Sequence, residues 1–208
     1  MTDPVSLSLS ALALAISAVT AWLTLFRRGT VKMSQPSVIF FGPDAPGRRE
    51  TPLPKVYLRT LLFCTAKRGR IIENMYVTLS RNEMRQNFNI WVHGERDKLV
   101  RGSGLFVGET GVSANHHFLI PDDANSFAFL PGTYRLEVFA HLLGDRNRKI
   151  LFTQQLEIPR EIAEQLNGTE TGLYFDWGPD AGRYLYHVDK RPPALNPDEL
   201  IAILKESG

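Results

Sequence analysis

Residues 131–138 read Pro131-Gly132-Thr133-Tyr134-Arg135-Leu136-Glu137-Val138. The Pro-Gly pair marks a turn, and from Tyr134 apolar side chains fall on every second residue: Tyr134, Leu136, Val138 and Ala140. Successive side chains of an extended chain point to opposite faces, so this spacing describes a strand with one buried face. Outward from it, the same period recurs in both directions. Upstream run Val56, Leu58, Leu62 and Cys64; Ile71, Met75, Val77 and Leu79; Phe88, Ile90 and Val92; and Val112, Ala114, Phe118 and Ile120. Downstream follow Ile150, Phe152, Leu156 and Ile158. Turn-forming clusters such as Gly42-Pro43-Asp44 and Gly102-Ser103-Gly104 separate the runs. Several short strands so spaced predict an all-β, antiparallel sandwich over residues 37–158.

The turn-then-tyrosine pattern at 131–138 resembles the start of the sixth strand of immunoglobulin-like and fibronectin type III-like domains. There the tyrosine hydroxyl returns to nearby backbone as a tyrosine corner. The resemblance implies that role for Tyr134. Leu136 stands where antibody domains carry a cysteine, so no inter-sheet disulfide is implied. Asp145-Arg146-Asn147-Arg148 would be the loop to the last strand. The likeness covers about one strand pair and brings no activity with it, because such sandwiches host unrelated functions. A C2-like sandwich fits the same spacing.

The amino terminus has a different character. Val5 to Phe26 is a run without a charged residue, and about 20 mostly apolar residues suffice for a helix to cross a bilayer. Arg27, Arg28 and Lys32 follow it, whereas the other flank offers only Thr2, Asp3 and Pro4. Basic flanks mark the cytoplasmic side. Residues 1–28 therefore read as a signal anchor with its amino terminus outside, followed by a juxtamembrane linker at 29–36 and a cytoplasmic domain. A cleaved signal peptide is the competing reading, with Val19-Thr20-Ala21 as its cleavage site, but the acidic start and the continuation to Phe26 oppose it. Ser6, Ser10, Ala13, Ser17, Thr20 and Thr24 fall at alternating spacings of four and three, a seam of small residues suited to helix pairing in lipid.

Beyond residue 158 the pattern changes. Residues 160–167 predict a short helix ended by Gly168. Leu173, Phe175 and Trp177, then Tyr184, Tyr186 and Val188, alternate on either side of Gly178-Pro179-Asp180-Ala181-Gly182, which predicts a hairpin. Asn196-Pro197-Asp198-Glu199 opens a final helix, with Asn196 as cap and Leu200, Ile201 and Leu204 as its apolar stripe. Residues 159–208 thus read as an aromatic, acidic tail with five basic and nine acidic side chains. The sandwich carries sixteen basic and twelve acidic. Opposite charge favours docking of the tail on the sandwich of its own or a neighbouring chain, or the tail serves an outside partner.

Chemistry-bearing motifs are sparse. In Asn115-His116-His117 the two imidazoles of a strand point to opposite faces and do not chelate one metal easily. His116 reads as a hydrogen-bonded core residue and His117 as exposed. Pro121-Asp122-Asp123-Ala124-Asn125 is one acidic loop, whereas calcium needs six to eight oxygens from converging loops. Its neighbours carry Arg96, Lys98, Arg101, Arg146 and Arg148. Residues 102–108 are glycine-rich without the Lys-Ser/Thr of a phosphate loop. The single cysteine, Cys64, excludes an internal disulfide and a thiolate metal cage. A net charge of +2 is too small for a dedicated nucleic-acid binder. No cofactor and no small-molecule substrate is indicated.

Leu61, Phe63, Trp91, Phe139 and Leu151 fall on the faces that the alternation assigns to solvent, and so many apolar groups there need a cover. Together with Phe175, Trp177, Tyr184 and Tyr186 of the tail, Trp91 and Phe139 are the candidate partner-binding residues. Lys67, Arg68 and Arg70 join Arg27, Arg28 and Lys32 as candidates for an anionic membrane surface. The expectation is a membrane-tethered cytoplasmic module acting through a protein partner or self-association, as an adaptor or assembly subunit without catalysis. The alternatives are a C2-like lipid- or calcium-sensing module and an enzyme using His116 or His117.

Overall fold

The computed structural model describes residues 3–26, 28–44, 53–94, 98–121, 127–166 and 171–190. Arg27, Arg96, Asp122, Asp123, Asn125 and the helix expected at 197–206 lie outside the described residues.

Helix α1, Pro4–Ala21, begins where the Asp3 carboxylate accepts a hydrogen bond from the Val5 N–H and Pro4 supplies a pre-set first position. A π-helical turn, Trp22–Phe26, continues it. Among the described residues the other elements are strands, apart from one short helix. In chain order they comprise β1 (Val31–Met33), β2 (Val38–Pro43), β3 (Pro54–Cys64), β4 (Arg70–Arg81), β5 (Met84–Phe88), β6 (Ile90–Gly94) and β7 (Val100–Arg101). Next come β8 (Leu105–Val107), β9 (Val112–Leu119), β10 (Gly132–Leu142), β11 (Lys149–Ile158), helix α2 (Arg160–Leu166), β12 (Thr171–Gly178) and β13 (Arg183–Lys190). An all-β antiparallel sandwich results. The larger sheet runs β13-β12-β2-β3-β9-β6-β7 with β1 also on β3, and the smaller runs β11-β10-β4-β5 with β8 also on β4.

The period-two residues meet between the sheets. Val56, Leu58 and Leu62 of β3 share one core with Val77 and Leu79 of β4 and Leu136 and Val138 of β10, all fully buried. Each such side chain contributes about 1.5–3 kcal/mol relative to exposure. Tyr134 lies wholly inside, and its hydroxyl oxygen accepts a 2.8 Å hydrogen bond from the Leu130 N–H, four residues upstream.

One facing assignment and one expected exposure require correction. Phe88, Ile90 and Val92 read as one strand, yet β5 belongs to the smaller sheet and β6 to the larger. The chain changes sheets at Asn89, which reverses the alternation, so Trp91 is 2% exposed while Ile90 and Val92 are half-buried. In β10 the alternation holds: Val138 and Ala140 lie in the core, and Phe139 keeps its outward place opposite Tyr76 of β4. Phe139 is buried under a parallel Tyr76 ring, 4.8 Å away, with the Arg148 guanidinium over both. Leu61 does stand exposed, and Phe63 and Leu151 are half-covered.

The segments flanking the sandwich are also built into it. Within 29–36, which reads as a linker, β1 pairs with the end of β3, Val31 opposite Cys64, and Val31 is buried. The expected hairpin forms as β12 and β13, and β12 pairs with β2, so this part of the tail extends the larger sheet rather than docking on it. Ile162, Ala163 and Leu166 of α2 are buried beside it.

These pairings define two ends. Gly29 and Thr30 sit at the end carrying the β3–β4 turn (65–69) and the β10–β11 turn (143–148). There the Thr30 N–H donates to Thr65 Oγ1, Arg70 donates to the Gly29 and Leu143 carbonyls, and Lys149 donates to Thr30 Oγ1. At the opposite end are the β4–β5 turn at Asn82-Glu83 and Pro121, which follows β9. Pro121, the last described residue before the acidic stretch, thus lies at the end remote from Lys67 and Arg68.

Candidate functional site

The sheets differ in width, and the difference leaves one side of the sandwich open. β11 is the last strand of the smaller sheet and β13 the last of the larger, each pairing on one side only among the described residues. Between them lies a groove of about 460 Å³, walled by Leu156 on β11 and by Phe175, Tyr184 and Tyr186 on β12 and β13. Alternation aims these three aromatics the same way, because Phe175 pairs with Tyr186 and Trp177 with Tyr184 across the hairpin. Tyr184 is fixed. Its hydroxyl donates to the Pro36 carbonyl at 2.8 Å and accepts from Gln35 Nε2 at 3.0 Å, and burial pushes its phenol well above the ordinary value. Trp177 meets the Tyr184 ring edge-on at 5.2 Å. Tyr186 is 54% exposed, and Leu185, also exposed, adds to the lining of the groove.

Of the candidate partner-binding residues, Tyr184 and Tyr186 line this groove. Phe175 forms its floor and Trp177 braces it. Trp91 and Phe139 lie elsewhere and are buried, so they offer no docking surface. Leu156 and Leu185 were not legible as groove residues. Alternation assigns Leu156 to the core, where it is indeed buried, and nothing in a sequence shows that the smaller sheet stops at β11 and opens a groove beside it.

The histidines divide as strand geometry requires. His116 points inward and is fully buried; its Nδ1 accepts from Trp91 Nε1 at 3.1 Å. The ring proton therefore sits on Nε2, which is buried without a partner among the described residues. Burial, and secondarily the proximity of His93 and His117, lowers the His116 pKa to about 3. An imidazole so enclosed meets no substrate. His117 faces outward over the Tyr57 ring at 4.8 Å. Among the described residues, no group of three or more His, Cys, Asp or Glu side chains is placed to hold a metal ion.

The outer face of the larger sheet carries a feature that sequence reasoning missed. Register places His187, Tyr174, Phe40, Tyr57 and His117 in one row across five neighbouring strands. Tyr174 stacks on His187 at 5.2 Å and meets Phe40 at 4.8 Å. Phe40 lies flat over Gly42 and Gly172, where any Cβ would collide with its ring. A hollow of about 280 Å³ opens beside the row, reaching Lys55 and Asn115. Each residue occupies a recognisable outward position of its strand, but only register reveals that they align.

At the amino terminus, Pro4–Phe26 has a mean hydropathy of 2.0 and is long and apolar enough to cross a membrane. The seam hydroxyls bond within the helix: Ser10 to the Ser6 carbonyl, Thr20 to Ile16 and Thr24 to Thr20. That internal satisfaction lowers their cost in hydrocarbon. Ser6, Ala13 and Ser17 complete the exposed seam, and Arg28 and Lys32 are exposed beyond it.

Searches against protein-family models, curated proteins and solved structures find no match to the chain.

Proposed function

We propose that this chain is a membrane-tethered interaction module. Its apolar helix holds the sandwich at the cytoplasmic face, and the open groove between β11 and β13 receives an extended segment of a partner protein. The amino terminus lies outside, because Arg27, Arg28 and Lys32 follow the helix and basic flanks stay in the cytoplasm. The observation that carries this reading is the pair of open strand edges around an aromatic groove. An unpaired edge offers a row of backbone donors and acceptors, and an added strand takes its affinity from them and its specificity from side-chain pockets. Tyr186 and Tyr184 supply the apolar contact such a segment buries. Self-pairing of two β13 edges in antiparallel fashion would place the two tethers at opposite ends of the joined sheet, so the occupant assigned here is a different protein.

A photo-reactive amino acid at position 186 of the full-length chain, activated in its own membrane, tests this. A covalent adduct to a strand-forming segment of another protein, mapped by mass spectrometry and abolished by Leu185→Arg on the exposed lining of the groove, is expected. Cross-links confined to this chain, whether to residues 191–208 or to a second copy, overturn the assignment.

A further inference from the structure

The end of the sandwich that receives the tether differs from the other in both charge and apolarity. Three residues, or four chain steps, separate Phe26 from Thr30, a reach of at most about 14 Å. Thr30 is already hydrogen-bonded into the sandwich through Thr65 and Lys149. An end so short of slack lies close to wherever the helix leaves the bilayer. On it, Lys67 and Arg68 of the 65–69 turn and Arg146 and Arg148 of the 143–148 turn are exposed.

The acidic groups nearby are fewer. Asp145 is occupied by Arg70 at 2.7 Å and Lys149 at 3.4 Å and Glu73 lies 3.1 Å from His141, which leaves Glu109 on the adjacent turn and Asp180 at the far sheet edge. Among these basic turns stand large apolar side chains that the fold leaves uncovered. Phe106 is 59% exposed and Leu143 51%; Ile71 pairs with Phe106 across β4 and β8 and is also exposed. A sandwich in free solution gains nothing by placing Phe106 and Leu143 at its tip. A bilayer interface suits them, because apolar groups enter it while flanking Lys and Arg meet the headgroups.

We infer that this end, through Phe106, Leu143, Lys67, Arg68 and Arg146, seats on an anionic phospholipid surface and fixes the sandwich upright on the membrane that anchors it. The inference rests on the membrane-tethered reading above. An anionic leaflet attracts basic groups within about a Debye length, about 10 Å, and the tether holds these turns within that range. The opposite end cannot share the contact, since the eleven steps of β4 from Arg70 to Arg81 carry Asn82 and Glu83 about 35 Å away. Seating in this orientation keeps the side groove between β11 and β13 clear of the lipid.

The test uses the full chain in vesicles of phosphatidylcholine alone or of phosphatidylcholine mixed with phosphatidylserine. A single cysteine is introduced at Leu143→Cys or at Glu83→Cys and labelled with an environment-sensitive dye; Cys64 is buried and stays unlabelled. The expected result is several-fold stronger quenching by a lipid-borne quencher at position 143 in the mixed vesicles than in phosphatidylcholine. Position 83 should show no quenching, and the effect should vanish in the K67E/R68E/R146E variant. An alkaline wash separates the two premises. Protein that resists the wash yet shows equal quenching at 143 in both lipids, or unchanged quenching in the triple variant, overturns the seating alone. Protein released by the wash overturns the anchored reading and the seating with it.

Discussion

Trp91 Nε1 donates to His116 Nδ1 at 3.1 Å across β6 and β9, both side chains inside the sandwich. This single bond settles the imidazole tautomer and gives the indole its partner. It exists only because the chain changes sheets at Asn89 and turns Trp91 inward.

The first prediction follows from the His116 pKa of about 3. Below about pH 6.5 the unfolded chain takes up a proton that the folded chain refuses until about pH 3, so stability is lost as pH falls through that window. The loss approaches about 1.4 kcal/mol per pH unit. His116→Gln, which keeps a hydrogen-bond acceptor, should flatten this part of the profile. Thermal midpoints of both proteins across the window check it, since the carboxylates are common to both. Parallel profiles would contradict the assignment.

Tyr134→Phe removes the acceptor of the Leu130 N–H inside the fold. A buried donor left without a partner costs about 1–3 kcal/mol. Urea unfolding of the full chain in detergent should show a lower midpoint with unchanged cooperativity, and an unaltered midpoint would remove the structural role of this hydroxyl.

Gly172 is held to glycine by Phe40, because an added Cβ would stand 2.2 Å from the ring. Gly172→Ala should cost about 1–3 kcal/mol by overpacking. Combining it with Phe40→Ala should cost less than the sum of the two single changes, because the colliding ring is gone. Additivity in unfolding experiments would show that the ring and the glycine are not in conflict.

Arg70 ties the segment that follows the apolar helix to the sandwich through the Gly29 and Leu143 carbonyls and Asp145. Arg70→Ala should cost about 3 kcal/mol, toward the lower end for breaking a largely buried pair. The Arg70 hydrogen bond holds the Asp145 carboxyl below its usual range, so this contribution is present at neutral pH and is lost on strong acidification. Hydrogen exchange at the Thr30 and Val31 amides should accelerate in the variant. Unchanged exchange there would mean that β1 is held without Arg70.

The alternation that begins at Tyr134 made the sandwich and most of its inward residues readable, because period two is a property of the extended backbone itself. It failed where the backbone departs from that period. The sheet change at Asn89 reversed Trp91; Phe139 kept its outward face, and only the structure shows that Tyr76 and Arg148 cover it there. The apolar helix and the β12–β13 hairpin were legible from composition and turn chemistry, whereas the pairing of β12 with β2 is non-local and left no local mark. The groove itself depends on the unequal width of two sheets, and the row from His187 to His117 depends on register. Neither is a property of any one segment of sequence.

The central claim, that the apolar helix holds this sandwich on the cytoplasmic side, is tested most directly by labelling Glu83→Cys in intact cells and in inverted vesicles with a membrane-impermeant maleimide. The expected protein stays with the membrane through an alkaline wash and is labelled only in inverted vesicles. Labelling in intact cells, or release by the wash, would contradict it.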